Sequence, residues 1–102
     1  MATFLVLAHD GTDADAPARR KAARPQHFDG VEAMVKKGEI RAAGALLDDR
    51  GNMVGSVLFA EFPSRAELDA WLKGEPYVEQ KVWQTIEVKA LRMAVLDGKI
   101  TP

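Results

Sequence analysis

The apolar run Phe4–Ala8 stops at Asp10-Gly11. A run that short, with no polar residue alternating into it, predicts a strand buried on both faces. Asp10-Gly11-Thr12-Asp13 is turn chemistry, and Thr12 or Asp13 is placed to cap the next element. From about Asp15 to Lys37 the pattern takes a helical period, which gathers Arg20, Arg24, His27, Val31 and Met34 into one stripe, with Phe28 and Val35 along its edge. That face begins as cations and ends as core, like the floor of a pocket open at one end. Pro25 lacks a backbone donor and predicts a kink or a restart within the helix. Gly38, after Lys36-Lys37, predicts its end.

Two further strands are expected over Ile40–Leu47 and Met53–Phe62, joined by the hairpin loop Asp48-Asp49-Arg50-Gly51-Asn52. Gly44 and Gly55 interrupt them, as glycines do at a bulge or where a ligand or another backbone comes close. Ser64 and Glu67 have capping-box spacing at the start of a second helix whose buried face is Leu68, Trp71 and Leu72, and Gly74 ends it. Glu75–Lys81 predicts a turn or short helix with Pro76 at a tolerated first position. A last strand covers about Trp83 to Met93, leaving a domain over 1–94 and a tail over 95–102.

The order is βαββαβ, which predicts an α+β, ferredoxin-like fold with a four-stranded antiparallel sheet and two helices on one face. The first strand (Phe4, Leu5, Val6, Leu7) and the third (Val54, Val57, Leu58, Phe59) are apolar on both sides. Two helices cover only one of those sides, so the other would expose more apolar surface than a soluble monomer usually tolerates. A homodimer with the two sheets face to face resolves the conflict. A monomer with its tail folded over the sheet is the alternative.

Composition narrows the function classes. At 102 residues the chain holds one core. A net charge of -1 draws it toward neither nucleic acid nor an anionic membrane. The absence of cysteine removes disulfides, thiolate metal sites and cysteine nucleophiles, and fits a cytoplasmic protein. Met1–Ala8 has no basic flank and meets His9-Asp10 too early for a leader, and no run has the length of a membrane span. No phosphate loop, nucleophile elbow or helical metal-binding histidine pair occurs, so no metal or other cofactor is expected. The strands show no basic patch with interleaved aromatics, and no nucleic-acid partner is expected either.

The remaining chemistry is the stripe Arg20, Arg24, His27 with nearby carboxylates. Histidine exchanges protons near neutral pH, and a carboxylate fixes its tautomer. Asp10, at the end of the first strand, and Glu75, after the second helix, are the candidates for that partner. The plainer reading makes His27 a partly buried histidine donating to a carbonyl. It makes Arg20 and Arg24 surface ion-pair partners of Asp13, Asp15 or Asp29. Tyr77, Trp71 and Trp83 are then core residues, and His9 a strand-end cap.

Several stretches together resemble the YciI-like (YCII-related) family of small α+β proteins. They are Arg24-Pro25-Gln26-His27-Phe28, then Ala42-Ala43-Gly44-Ala45-Leu46-Leu47-Asp48-Asp49, then Gly55-Ser56-Val57-Leu58. The last is Glu75-Pro76-Tyr77-Val78 leading into Val82-Trp83. The resemblance runs from Phe4 to about Arg92. It implies a dimeric α+β barrel, related in fold to muconolactone isomerase, with a cleft whose histidine and aspartate serve acid–base chemistry. The histidine carries over to His27 with Arg24 beside it, and Asp10 matches an acidic position. The family's Asp-Pro-Tyr turn reads Glu75-Pro76-Tyr77 here, and its usual Pro-Trp or Pro-Phe ending is replaced by Lys89-Ala90-Leu91-Arg92.

Activities in the family involve proton shuttling or elimination on small ring-cleavage acids such as chlorinated muconates. The expectation is a lyase or isomerase with His27, Asp10 and Glu75 as acid–base residues. Arg20, Arg24, Gly44 and Tyr77 would bind a small, carboxylate-bearing molecule. The alternative is a non-catalytic metabolite-binding or accessory module that uses the same cleft.

Overall fold

The computed structural model describes Met1–Thr101; Pro102, the last residue of the expected tail, lies outside the described residues. The chain runs through β1 (Ala2–Asp10), α1 (Ala16–Lys36), β2 (Ile40–Leu47), β3 (Met53–Phe62), α2 (Arg65–Gly74), the single turn α3 (Pro76–Glu79) and β4 (Trp83–Leu91). The four long strands form an antiparallel sheet in the order β2-β3-β1-β4. This is the ferredoxin-like βαββαβ arrangement, with β1 and β3 adjacent in its middle. The expected tail has secondary structure of its own. It carries a small hairpin, β5 (Val95–Leu96) paired with β6 (Lys99–Ile100).

Side-chain alternation sorts the sheet into two faces. Phe4, Val6 and Ala8 of β1, with Leu58, Ala60 and Phe62 of β3, are buried against Ala23 and Met34 of α1, Leu68 of α2 and Tyr77 of α3. All three of these helices therefore cover one face. Leu5 and Leu7, with Val57 and Phe59 across from them, lie on the opposite face and are half-buried. Gly55 lies beside β1 with no room for a side chain: a Cβ there would stand 2.4 Å from the Ala8 carbonyl oxygen and 2.8 Å from Leu46 Cδ1. Only a residue without a side chain fits that position.

Two local expectations change. The helix neither breaks nor restarts at Pro25, and α1 is continuous through it. One lost backbone bond is outweighed by anchors on both sides, Ala23 packed in the core and His27 tied to the Glu75 cap of α3. The residue before α1 is Asp15, whose side chain makes no capping bond, while the Asp13 carboxylate pairs with Arg19 at 2.7 Å. Neither Thr12 nor Asp13 is the cap. Gly38 does follow the end of α1, with a positive φ of 76° that suits glycine. At α2 the Ser64 hydroxyl accepts the Glu67 backbone N–H at 3.3 Å, one half of a capping box. No helix among the described residues is long and apolar enough to cross a membrane.

Candidate functional site

The middle of α1 and the strands β2 and β3 enclose a cavity of about 290 Å³. From the helix come Arg20, Arg24, His27, Phe28 and Val31. The strand side is mostly apolar or small, with Gly44, Met53 and Leu58, and one hydroxyl, Ser56. The stripe read from the sequence forms the helix wall of this cavity as far as Val31, whereas Met34 belongs to the hydrophobic core, and the wall residues differ sharply in exposure. Arg20 and His27 are buried, Val31 is half-buried, and Arg24 is exposed.

His27 is fixed on two sides. Its Nδ1 lies 2.5 Å from Glu75 Oε1, and its ring stacks on Tyr77 with centroids 3.8 Å apart and planes 7° from parallel. Trp83 meets the ring edge-on at 5.8 Å. Glu75 is itself held in place, because the same Oε1 accepts the backbone N–H of Tyr77 at 3.0 Å as the cap of α3. A carboxylate oxygen can only accept, so the proton of a neutral His27 sits on Nδ1 and Nε2 keeps its lone pair. An imidazole held in this tautomer has Nε2 as its remaining acceptor, and His27 lines the cavity. Tyr77, buried beneath it, has its phenol pushed above the usual range by desolvation, so it is neutral at physiological pH.

Arg20 and Asp10 form a second buried set. Arg20 Nη1 reaches both carboxylate oxygens of Asp10 at 2.9 Å, and its Nη2 donates to Ser56 Oγ at 3.1 Å. Trp83 Nε1 donates to the same hydroxyl oxygen, also at 3.1 Å. A register shift between His9 and Asp10 brings Asp10 opposite Trp83, which helps gather the four residues at one end of the sheet. Arg20 Nε is buried without an acceptor among the described residues. Arg24 stands apart, its guanidinium 4.9 Å from the Phe28 ring centroid and 3.8 Å from Met53 Sδ.

These contacts redistribute the roles expected of the candidates. The carboxylate against His27 is Glu75, whereas Asp10 is engaged by Arg20. Arg20 is held by Asp10 and Ser56, whereas Arg24 is exposed. Gly44 borders the cavity without a bulge at its position and with open space where a Cβ would be. Tyr77 supports the His27 ring from below and does not line the cavity. His9 is exposed, and no group of three histidine or acidic residues among the described residues could hold a metal.

Ser56 and Trp83 are the residues that sequence reasoning passed over as site members. A signal for Ser56 was present. It falls in phase with Leu58, Ala60 and Phe62, a lone hydroxyl on the core face of a strand, and such a group needs partners.

A family model for the YCII-related domain matches residues 2–92, which takes in every residue of both buried sets. The chain belongs to the YCII-related domain family. Protein YciI of Escherichia coli O6:H1 is 28% identical over 95 residues, covering 87% of this chain and 95% of the relative, and Protein YciI of Shigella flexneri matches equally. Among solved structures, the 5-chloro-2-hydroxyhydroquinone dehydrochlorinase TftG from Burkholderia phenoliruptrix AC1100, in complex with 2,5-dihydroxybenzoquinone, superposes with a TM-score of 0.76. It shares 21% identity over 88% of this chain and 93% of its own. Rv0793 from Mycobacterium tuberculosis follows at a TM-score of 0.53 and 17% identity, over 94% of this chain and 97% of its own. At such identities the structural likeness speaks to the fold: this YCII-related chain has the same α+β architecture as both.

Proposed function

We propose that the chain is a lyase or isomerase that moves a proton on a small, planar, anionic molecule held between α1 and the β2–β3 strands. The observation that carries this reading is the His27–Glu75 bond at 2.5 Å, made by a histidine that lines a cavity. His27 Nε2 takes a proton from an acidic C–H or O–H of the substrate. The bond's electron pair enters the conjugated system and either expels a leaving anion, as in an elimination, or recaptures the proton at another carbon, as in an isomerisation. Neither route needs an oxidant or reductant. Glu75 fixes the tautomer and steadies the imidazolium that forms. Phe28, Val31 and Leu58 give the cavity apolar walls suited to a ring or conjugated chain. Arg24 supplies the charge-assisted bond to a carboxylate or other anionic group.

That a fold neighbour is a dehydrochlorinase, solved with 2,5-dihydroxybenzoquinone, supports beginning with chlorinated hydroxyarenes and chlorinated ring-cleavage acids as test substrates. The half-buried face bearing Leu5, Leu7, Val57 and Phe59 supports a homodimer with the two sheets face to face. Release of chloride by the wild-type protein, and its loss in His27→Ala with the fold retained, tests the catalytic reading. Saturable binding of these compounds without turnover overturns catalysis and leaves a binding module.

A further inference from the structure

Ser56 Oγ lies between two groups that can only donate. Arg20 Nη2 and Trp83 Nε1 each stand 3.1 Å from it, and neither a guanidinium nor an indole N–H offers an acceptor. A hydroxyl oxygen has two lone pairs and one hydrogen, so both lone pairs are taken and the hydrogen must be given elsewhere. No acceptor for it exists among the hydrogen bonds of the described residues. Ser56 is 5% exposed and lines the cavity between α1 and the strands, while Trp83 does not. The hydroxyl thus has its acceptor positions filled within the protein and a cavity in front of it.

We infer that Ser56 donates its O–H to an oxygen of the molecule bound in this cavity, making it a specificity-determining residue for ligands with a carbonyl, carboxylate or phenolate oxygen at that end. The inference rests on the reading of this cavity as the substrate site. Arg20 draws electron density from the hydroxyl and strengthens it as a donor, and Asp10 holds the guanidinium in that position. A donor fixed in advance and strengthened by a buried cation suits an oxygen on which negative charge gathers. When His27 takes a proton next to a carbonyl, the electron pair comes to rest on such an oxygen. The ligand class that satisfies both ends has an acceptor oxygen facing Ser56, a planar apolar body, and an anionic group within reach of Arg24.

The test compares benzoate, which has an acceptor, with toluene, which has the same ring and none, by calorimetric titration of wild type and Ser56→Ala. Benzoate affinity should fall roughly tenfold in the variant while toluene changes less than about twofold, the difference expected of one good hydrogen bond. An equal change for both ligands, or none for benzoate, overturns the role of Ser56 while leaving the cavity as a site. Wild-type protein that binds neither ligand overturns the cavity reading on which the inference stands. Should Ser56→Ala fail to fold, Ser56→Cys provides an independent measurement, because the natural chain has no other thiol. A small thiosulfonate reagent should modify the introduced thiol, and saturating benzoate should slow that modification. A thiol that never reacts, or reacts at the same rate with benzoate bound, refutes the inference.

Discussion

Glu75 Oε1 serves His27 and Tyr77 at once, 2.5 Å from the imidazole Nδ1 and 3.0 Å from the backbone N–H that begins α3. One carboxylate oxygen therefore couples the orientation of the proposed base to the local fold of the segment that supports it. Glu75→Gln retains an oxygen acceptor but not the charge. It should keep the fold and lower turnover about 100-fold or more, in the range of a lost acid–base contribution. Glu75→Ala also removes the cap, and its urea midpoint should report a further loss of about 1–2 kcal/mol. Variants of equal stability and equal turnover would separate Glu75 from the chemistry.

The Asp10–Arg20 pair is buried on both sides, with side chains 5% and 9% exposed. Asp10→Ala would strand a buried guanidinium charge at a cost of about 3–5 kcal/mol. Removing both charges, as in Asp10→Ala with Arg20→Met, should recover much of that loss. Equilibrium denaturation of the two variants checks the prediction. A double variant no more stable than the single would show that the stranded charge is not what destabilises Asp10→Ala.

Tyr77 is the only tyrosine in the chain, so phenolate absorbance reports on it alone. Burial raises its pKa above the ordinary 10.0. The folded state therefore holds the phenol proton more tightly than the unfolded chain. The stability linked to Tyr77 is fully present below the unfolded pKa and is lost as pH rises through the folded value. An alkaline titration should show the phenolate appearing later than in urea-unfolded protein, and together with loss of the His27–Tyr77 stack.

Gly55 and Gly44 look alike in the sequence and differ in consequence. Gly55→Ala drives a methyl against the Ala8 carbonyl oxygen, a backbone atom that has little room to yield, and should cost about 3 kcal/mol. Gly44→Ala meets open space and should change stability by no more than about 0.5 kcal/mol. Thermal melts of the two variants give the contrast directly, and similar losses in both would contradict it.

The proposed sheet-to-sheet pairing places Leu7 and Phe59 in an interface. A charge there, Leu7→Asp or Phe59→Asp, should shift a wild-type dimer to the mass of one chain in light scattering. A wild type that already scatters as a monomer at micromolar concentration would end the dimer proposal.

Much of the fold was legible because alternation and turn chemistry are local. Phe4, Val6 and Ala8 against Leu5 and Leu7 announced a two-sided strand, Gly38 marked the end of the long helix, and Ser64 with Glu67 marked the start of the next. Pro25 does not restart the helix, because a rule about one missing hydrogen bond cannot weigh the packing of Ala23 and the bond from His27. The hairpin at Val95–Ile100 was missed because two-residue strands are too short to show a period.

The sequence by itself determined which long elements form, and that His27 shares a helix face with Arg20 and Arg24, since both follow from the geometry of one segment. Only the tertiary structure decided which carboxylate His27 meets. Asp10 and Glu75 are equally plausible partners along the chain. The choice turns on how far α1 lies across the sheet and on where the α2–α3 turn delivers its cap. The same holds for Ser56, whose two donors come from α1 and β4 and converge on β3 only when the sheet is assembled. Backbone periodicity is fixed by neighbours in sequence, but a hydrogen bond is fixed by positions to within a few tenths of an ångström, and those depend on the whole core.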